Sequence, residues 1–179
     1  MNNKYPLKQA TITGVIVGVF GLVFFSIADS LNHQFSWGTN PMTIRGLTGL
    51  LMLVILGIGI YSGMQALKRE NNGVLTYKEA LIAGVLISFI TGVITAVCTF
   101  VYFEYINKGF AAYLLSESRK VMVADRLSPN AVAKNLADLQ KQLTIPAQVM
   151  QAFVGQFVCG TIISLILSIF SRTKNNPIL

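Results

Sequence analysis

Four apolar runs, at residues 10–31, 44–67, 80–105 and 147–171, leave this chain few folds to choose from. Each is long enough to cross hydrocarbon as a helix, which takes about 20 residues. Lipid offers the backbone no hydrogen-bond partner, so a span must satisfy its own amides and carbonyls, and four separated runs of this kind mean helices. The expectation is an all-α polytopic membrane protein: one integral membrane domain over residues 1–179 with four transmembrane helices. The first run follows Lys4 and Lys8 and contains Ser26-Ile27-Ala28, a small-x-small pattern that also marks signal-peptide cleavage sites. Its apolar stretch outlasts the roughly 7–15 residues of a cleavable signal, so it is read as a retained first span.

Charge is scarce and lies almost wholly outside the runs. Only 12% of the residues are charged, about half the usual share of roughly 25%. The formal balance of +7 therefore reads as topology and attraction to anionic lipid. No basic stripe with interleaved aromatics points to nucleic acid. Lys4 and Lys8, then Lys68, Arg69 and Lys78, then Arg172 and Lys174 occupy three short segments that share one side in any four-span arrangement. The connection at 32–43 has no Lys or Arg, and Arg45 follows it. The long connection at 107–146 holds six basic residues, diluted and accompanied by Glu117, Asp125 and Asp138. Long loops cross with less regard to charge, so both termini are expected in the cytoplasm.

Local signals place the helix ends. Asn40-Pro41 is a cap followed by a first-turn proline, and Arg45 can snorkel from the turns that follow. Asn71-Asn72-Gly73 supplies turn residues, and Thr76 with Glu79 matches a capping box. The insert at 107–146 is read as a helical hairpin turning at 127–130. Its second half opens on Ser128-Pro129 and carries Val132, Leu136, Leu139 and Leu143 on one face, the pattern of an amphipathic helix. Its first half, with Phe110, Leu114 and Val121, either continues span three or lies at the surface. Tyr5, Phe35, Trp37, Tyr77, Tyr102 and Tyr105 fall near the headgroup levels and read as interfacial anchors rather than as a ligand box.

Small residues recur inside the runs: Ala10, Gly14, Gly18, Ser26 and Ser30 in the first, Gly59 and Gly63 in the second. The third has Gly84, Ser88, Thr91, Thr95 and Thr99, and the fourth has Ala152, Gly160, Ser164 and Ser168 with Gln156 in register. Such faces let helices approach closely in lipid. They also fit the wall of a polar conduit, and both readings stand at this stage, with packing the simpler because Ser and Thr can bond to preceding carbonyls.

Chemistry-bearing residues are few. Cys98 and Cys159 sit at different depths, offset by roughly 9 Å for antiparallel helices, beyond the roughly 7 Å a disulfide tolerates, and read as small apolar side chains. One histidine and no clustered cysteines leave zinc without a ligand set, and Gly57-Ile58-Gly59 lacks the strand and third glycine of a dinucleotide site. No cofactor is implied. The one candidate polar cluster is Asp29, His33, Arg45 and Glu104, four ionisable groups that approach the non-cytoplasmic face. Each is near a helix end, where snorkelling or an Asp29–Arg45 ion pair suffices to account for it. No serine or cysteine nucleophile is paired with His33, so no catalytic residue is assigned.

The order of two spans, a hairpin reading Lys68-Arg69-Glu70-Asn71-Asn72-Gly73-Val74-Leu75-Thr76-Tyr77-Lys78-Glu79-Ala80, a third span opening Leu81-Ile82-Ala83-Gly84, a charged helical insert and a last span before a basic tail resembles domain-of-unknown-function family 4199. The resemblance covers nearly the whole chain. It implies a small four-span bacterial inner-membrane protein and carries over no functional residue. Three classes of function remain: an assembly or regulatory component holding a membrane-protein partner or a second copy, a small oligomeric transporter using the polar face of span three, and a membrane enzyme built on the charged cluster. The first is preferred. Membrane lipid is the one partner that the composition itself requires, and no small-molecule substrate is identified.

Overall fold

A computed structural model describes residues 6–35 and 41–173, with the backbone alone at 25, 28–35 and 41–45. Six α-helices follow one another: α1 (Leu7–Phe35), α2 (Pro41–Glu70), α3 (Tyr77–Val101), α4 (Phe110–Ala124), α5 (Pro129–Gln142) and α6 (Ile145–Ser171), with a single π turn, Tyr102–Ile106, ending α3. No strand occurs among the described residues. Helices α1, α2, α3 and α6 are each long and apolar enough to cross a membrane, and α4 and α5 form the hairpin between the last two. The all-α, four-span architecture expected from the runs is the one found.

The distribution of side chains is that of a bundle solvated by hydrocarbon. Thr13, Thr48, Ser88, Ser164, Ser168 and Gln156 are buried, while Ile16, Leu50, Ile58, Val97, Ile166 and Phe170 stand exposed. In water this arrangement would waste apolar area. In lipid, large side chains gain nothing by hiding, and close backbone approach through small residues holds helices together.

That approach is visible at every interface. A Cβ on Gly14 would meet Ile94 Cδ1 at 2.5 Å, and one on Gly18 would meet Cys98 Sγ at 2.7 Å, which seats α1 on α3. Gly59 takes Thr13 between α2 and α1, and Gly63 takes Ile87 between α2 and α3. The tightest seam joins α3 to α6. Gly84 receives Ser164 and Gly160 receives Ser88, so each helix offers one gap and one knob at a spacing of four. The two serines stay cheap because they donate to their own helices, Ser88 Oγ to Gly84 O at 2.8 Å and Ser164 Oγ to Gly160 O at 2.6 Å. Farther toward the hairpin end, Gly92 of α3 packs on Phe153 of α6, with a Cβ there 3.2 Å from the Phe153 carbonyl oxygen.

Helix ends follow the local signals, with two exceptions. Pro41 opens α2, while Asn40 lies outside the described residues. Thr76 and Glu79 form a complete capping box, Ser128 Oγ accepts from Ala131 N, and Pro129 is the first residue of α5. At the end of α2, Asn72 takes φ 53° and Gly73 donates to Lys68 O at 2.9 Å, the closing bond of a Schellman motif. The end of α4 repeats it with Arg126 at φ 56° and Leu127 N donating to Met122 O. That moves the hairpin turn to 125–128, ahead of the expected 127–130, because an arginine fills the left-handed position that glycine usually announces. The second exception is the π turn, in which Asn107 N reaches Tyr102 O at 2.8 Å. Tyr102, expected as a headgroup anchor, turns inward and is 5% exposed, whereas Tyr105 is 68% exposed. Tyr5 and Trp37 lie outside the described residues.

The end of α6 is clamped to the α2–α3 turn. Thr173 N donates to Leu75 O at 2.8 Å, Leu75 N donates to Thr173 Oγ1 at 2.9 Å, and that hydroxyl donates to Gly73 O at 3.0 Å. Lys68 Nζ adds a contact to Ser171 O at 3.4 Å. The start of α1, the α2–α3 turn and the end of α6 thus form one basic end of the bundle, and the α4–α5 hairpin caps the other. Thr173→Val keeps the side-chain shape but removes both hydroxyl bonds and leaves Leu75 N unpaired, a cost of about 1–3 kcal/mol. Amide exchange at Leu75 is expected to accelerate while the four spans stay inserted; unchanged exchange would mean that the clamp does not hold the turn.

Candidate functional site

The bundle is packed at its basic end and open at its hairpin end, and the difference lies between α2 and α6. Toward the basic end they touch: Leu56 Cδ2 lies 3.1 Å from a Cβ built on Gly160, and Ile163 Cγ2 lies 3.8 Å from one built on Gly57. Toward the hairpin they part, and a Cβ on Gly49 of α2 or Gly155 of α6 would meet nothing within 4 Å. The space so left is a cavity of about 480 Å³, within the range of about 300–1,000 Å³ typical of small-ligand sites.

Its apolar wall comes from Leu22, Met52, Leu53, Tyr102, Phe103 and Phe110. The first turn of α4 thus roofs a chamber built by the spans. The polar groups come from two helices: Thr95 and Thr99 from α3, and Gln148, Gln151 and Gln156 from α6. Cys98 and Cys159 also line it as free, half-buried thiols. No Asp, Glu, Lys, Arg or His is among the described residues that line it.

The polar groups are not equivalent. Gln148 Nε2 donates to Gln142 O at 2.7 Å and ties α6 to the end of α5. Thr99 sits in the wall next to Tyr102, whose hydroxyl accepts from Asn107 Nδ2 at 3.0 Å. Thr95 and Gln156 differ: they are 5% and 8% exposed, and Thr95 Oγ1 and Gln156 Oε1 have no hydrogen-bond partner. Ser26, Thr161 and Ser168 return their hydroxyls to the carbonyl four residues back, whereas Thr91 Oγ1 and Ser171 Oγ, which do not line the cavity, also lack a partner. Thr95 forgoes that bond. A buried polar group without a partner costs about 1–3 kcal/mol, and Thr95 and Gln156, unlike Thr91 and Ser171, line a cavity with room for an occupant that bonds to them.

Helix α1 carries Asp29 and His33 near its end, and α2 carries Arg45 near its start; their side chains lie outside the described residues. Glu104 sits in the π turn, half exposed, and is not among the cavity-lining residues. The element order brings all four to the hairpin end. Among the described residues no three His, Cys, Asp or Glu side chains gather as a metal-ligand set.

Of the cavity residues, Thr95, Thr99 and Gln156 stand out in the sequence as polar members of small-residue faces. Gln148 and Gln151 do not, although three amides in the first half of one span are a signal in themselves. Gly49 and Gly155 carry no sequence sign of their role, which arises only from the parting of α2 and α6.

A family described as "Protein of unknown function (DUF4199)" matches residues 10–173, which take in every span and the hairpin. The chain belongs to the DUF4199 family. No curated protein and no solved structure matches this DUF4199 member. It is a membrane protein with four spanning helices.

Proposed function

We propose that this protein is an assembly or regulatory component of the bacterial inner membrane, with both termini in the cytoplasm and the α4–α5 hairpin outside, where it receives a segment of a membrane-protein partner. The observation that carries this reading is the hairpin's own surface. Phe110, Leu114 and Leu143 form a small core joined by Phe103 and Leu139, and they hold α4 to α5 near the membrane. Farther out the helices leave a groove of about 990 Å³ floored by Leu115, Val123, Ala133, Leu136 and Ala137. Val123 is 60% exposed there. Arg119 and Lys120 rim the groove. Glu117 accepts a hydrogen bond from Lys120 at 2.6 Å and holds that ammonium above its ordinary pKa, and Arg119 leaves the rim with a net positive charge. An amphipathic helix with an acidic flank fits such a groove.

The alternative, a small oligomeric transporter using the polar face of span three, would need its path outside the α3–α6 seam, where Gly84 packs against Ser164 and Ser88 against Gly160. The cytoplasmic orientation rests on Lys8, Lys68, Arg69, Lys78 and Arg172 at that end.

Photo-crosslinking residues at Val123 and Leu136, with Asn135 on the far side of α5 as control, test the partner reading in cells. A discrete protein adduct at the first two and none at the control is expected, and Arg119→Glu with Lys120→Glu is expected to reduce it at least fivefold. Adducts of equal yield at all three positions, or solute flux through the purified protein in liposomes, would overturn it. Reporter fusions at residues 72 and 128 test the orientation, and a periplasmic signal at 72 would reverse it.

A further inference from the structure

The cavity at the hairpin end is a site of a different kind from the hairpin groove, and its chemistry is restrictive. We propose that it binds a neutral glycerolipid of the diacylglycerol class, with the glycerol head on Gln156 and Thr95 and the acyl chains leaving between α2 and α6.

Charge is the first discriminator. The described lining holds no cation to pair with a phosphate and no carboxylate to pair with an amine. At the depth of Thr95 and Gln156 no described charged side chain stands by, and a charged head there would cost far more than a hydroxyl does. Depth points the same way. Thr95 lies two turns from Tyr102 along α3, roughly 10 Å deeper at 1.5 Å per residue. A phospholipid head is held in the interface by its charge, whereas an uncharged glycerol can sink to that level.

Hydrogen-bond complementarity is the second. Gln156 Oε1 accepts and is unpartnered, so it calls for a donor; the unpartnered Thr95 hydroxyl can donate as well as accept. The free hydroxyl of a diacylglycerol supplies the donor, and its ester carbonyls supply acceptors for Thr95. A quinone presents carbonyls alone, and a triacylglycerol has no donor. Neither offers Gln156 Oε1 a donor.

Shape is the third. A cavity of about 480 Å³ accommodates the glycerol and the first carbons of the chains but not two whole chains, so a way out into lipid is needed. The parting of α2 and α6 provides it, because Gly49 and Gly155 both line the cavity and have open space where a side chain would stand. Glycine at these two positions keeps the gap clear.

The test uses the full chain in phosphatidylcholine nanodiscs and a diacylglycerol carrying a diazirine on one acyl chain, with adducts located by mass spectrometry. Labelling is expected on residues of α2 and α6 that border the gap, with competition by unlabelled dioleoylglycerol and none by equal amounts of dioleoylphosphatidylglycerol or menaquinone. Gly155→Leu places a side chain in the gap, where a Cβ meets nothing within 4 Å, and is expected to lower labelling at least tenfold at unchanged thermal stability. Gln156→Leu is expected to lower it as far while raising stability, since it removes a buried amide whose oxygen has no partner. Thr95→Val, which keeps the shape, is expected to weaken labelling severalfold. Labelling unchanged in Gly155→Leu and Gln156→Leu would overturn the proposal. Equal competition by phosphatidylglycerol would reduce the adducts to ordinary boundary lipid and overturn it too, and preferential competition by menaquinone would assign the cavity to quinones instead.

Discussion

Gly160→Leu is expected to abolish the packed bundle while leaving all four spans in the membrane. A Cβ at this position already collides with Ser88, lying 2.7 Å from Ser88 Cβ, and approaches Leu56 Cδ2 at 3.1 Å. Ser88 and Leu56 are fully buried, on α3 and α2 respectively, so neither can swing aside without disturbing a third helix. Overpacking a filled core costs about 1–3 kcal/mol when neighbours can shift, and a leucine in the middle of a backbone-to-backbone seam belongs at or beyond the top of that range. Native stability is itself only about 5–15 kcal/mol. Insertion is untouched, because α6 becomes more apolar. The measurement is the monodisperse fraction and melting temperature of the protein in mild detergent beside its membrane-inserted fraction in cells. A compensating pair sharpens it: Gly160→Ser with Ser88→Gly moves the knob from one helix to the other and is expected to recover most of the stability that Gly160→Ser loses alone. Normal melting of Gly160→Leu would mean that α3 and α6 do not meet along this seam.

This seam was largely readable in the chain, since Gly84 and Ser88 on span three and Gly160, Ser164 and Ser168 on span four recur at intervals of four. Periodicity marked the faces because helical geometry alone determines which residues share one. It could not say which face meets which, and the packing and conduit readings stayed open until the knobs were seen in their gaps. The structure divides them by depth: the serines nearest the basic end pack dry, while Thr95 and Gln156, farther along the same faces, border a cavity. Caps were legible for the same local reason, as Thr76 with Glu79 and Ser128 before Pro129 carry their partners within three residues. Arg126 and the π turn after Val101 were not, because each replaces the residue or spacing by which such a feature is recognised. The cavity was hidden most completely. It depends on two helices more than a hundred residues apart in sequence failing to touch at Gly49 and Gly155, and a glycine that faces empty space looks in sequence like one that faces a neighbour.

The hairpin yields the second large effect, and the structure shifts it from the residues that the apolar stripe alone would select. Leu139 and Leu143 pack with Phe110 and Leu114, whereas Leu136 stands half-buried in the outer groove. Leu143→Ser is therefore expected to melt the hairpin locally. Truncating a buried leucine costs about 2–5 kcal/mol, and the serine hydroxyl is left in an apolar cluster without an evident partner. The lobe has little to set against that loss. Its exposed ion pairs, Lys120 with Glu117 and Lys141 with Asp138, are of a kind worth about 0–1 kcal/mol, and Gln148 Nε2 to Gln142 O is one of few polar ties to the spans. Local opening should be seen as new proteolytic cleavage between residues 107 and 146 from the hairpin side, with the four spans still protected. Leu136→Ser is expected to leave the cleavage pattern close to wild type and to lower the crosslinking yield at Val123, because it alters the groove and not the core. If Leu143→Ser cleaves no faster than Leu136→Ser, then the Phe110, Leu114 and Leu143 cluster does not hold the hairpin together.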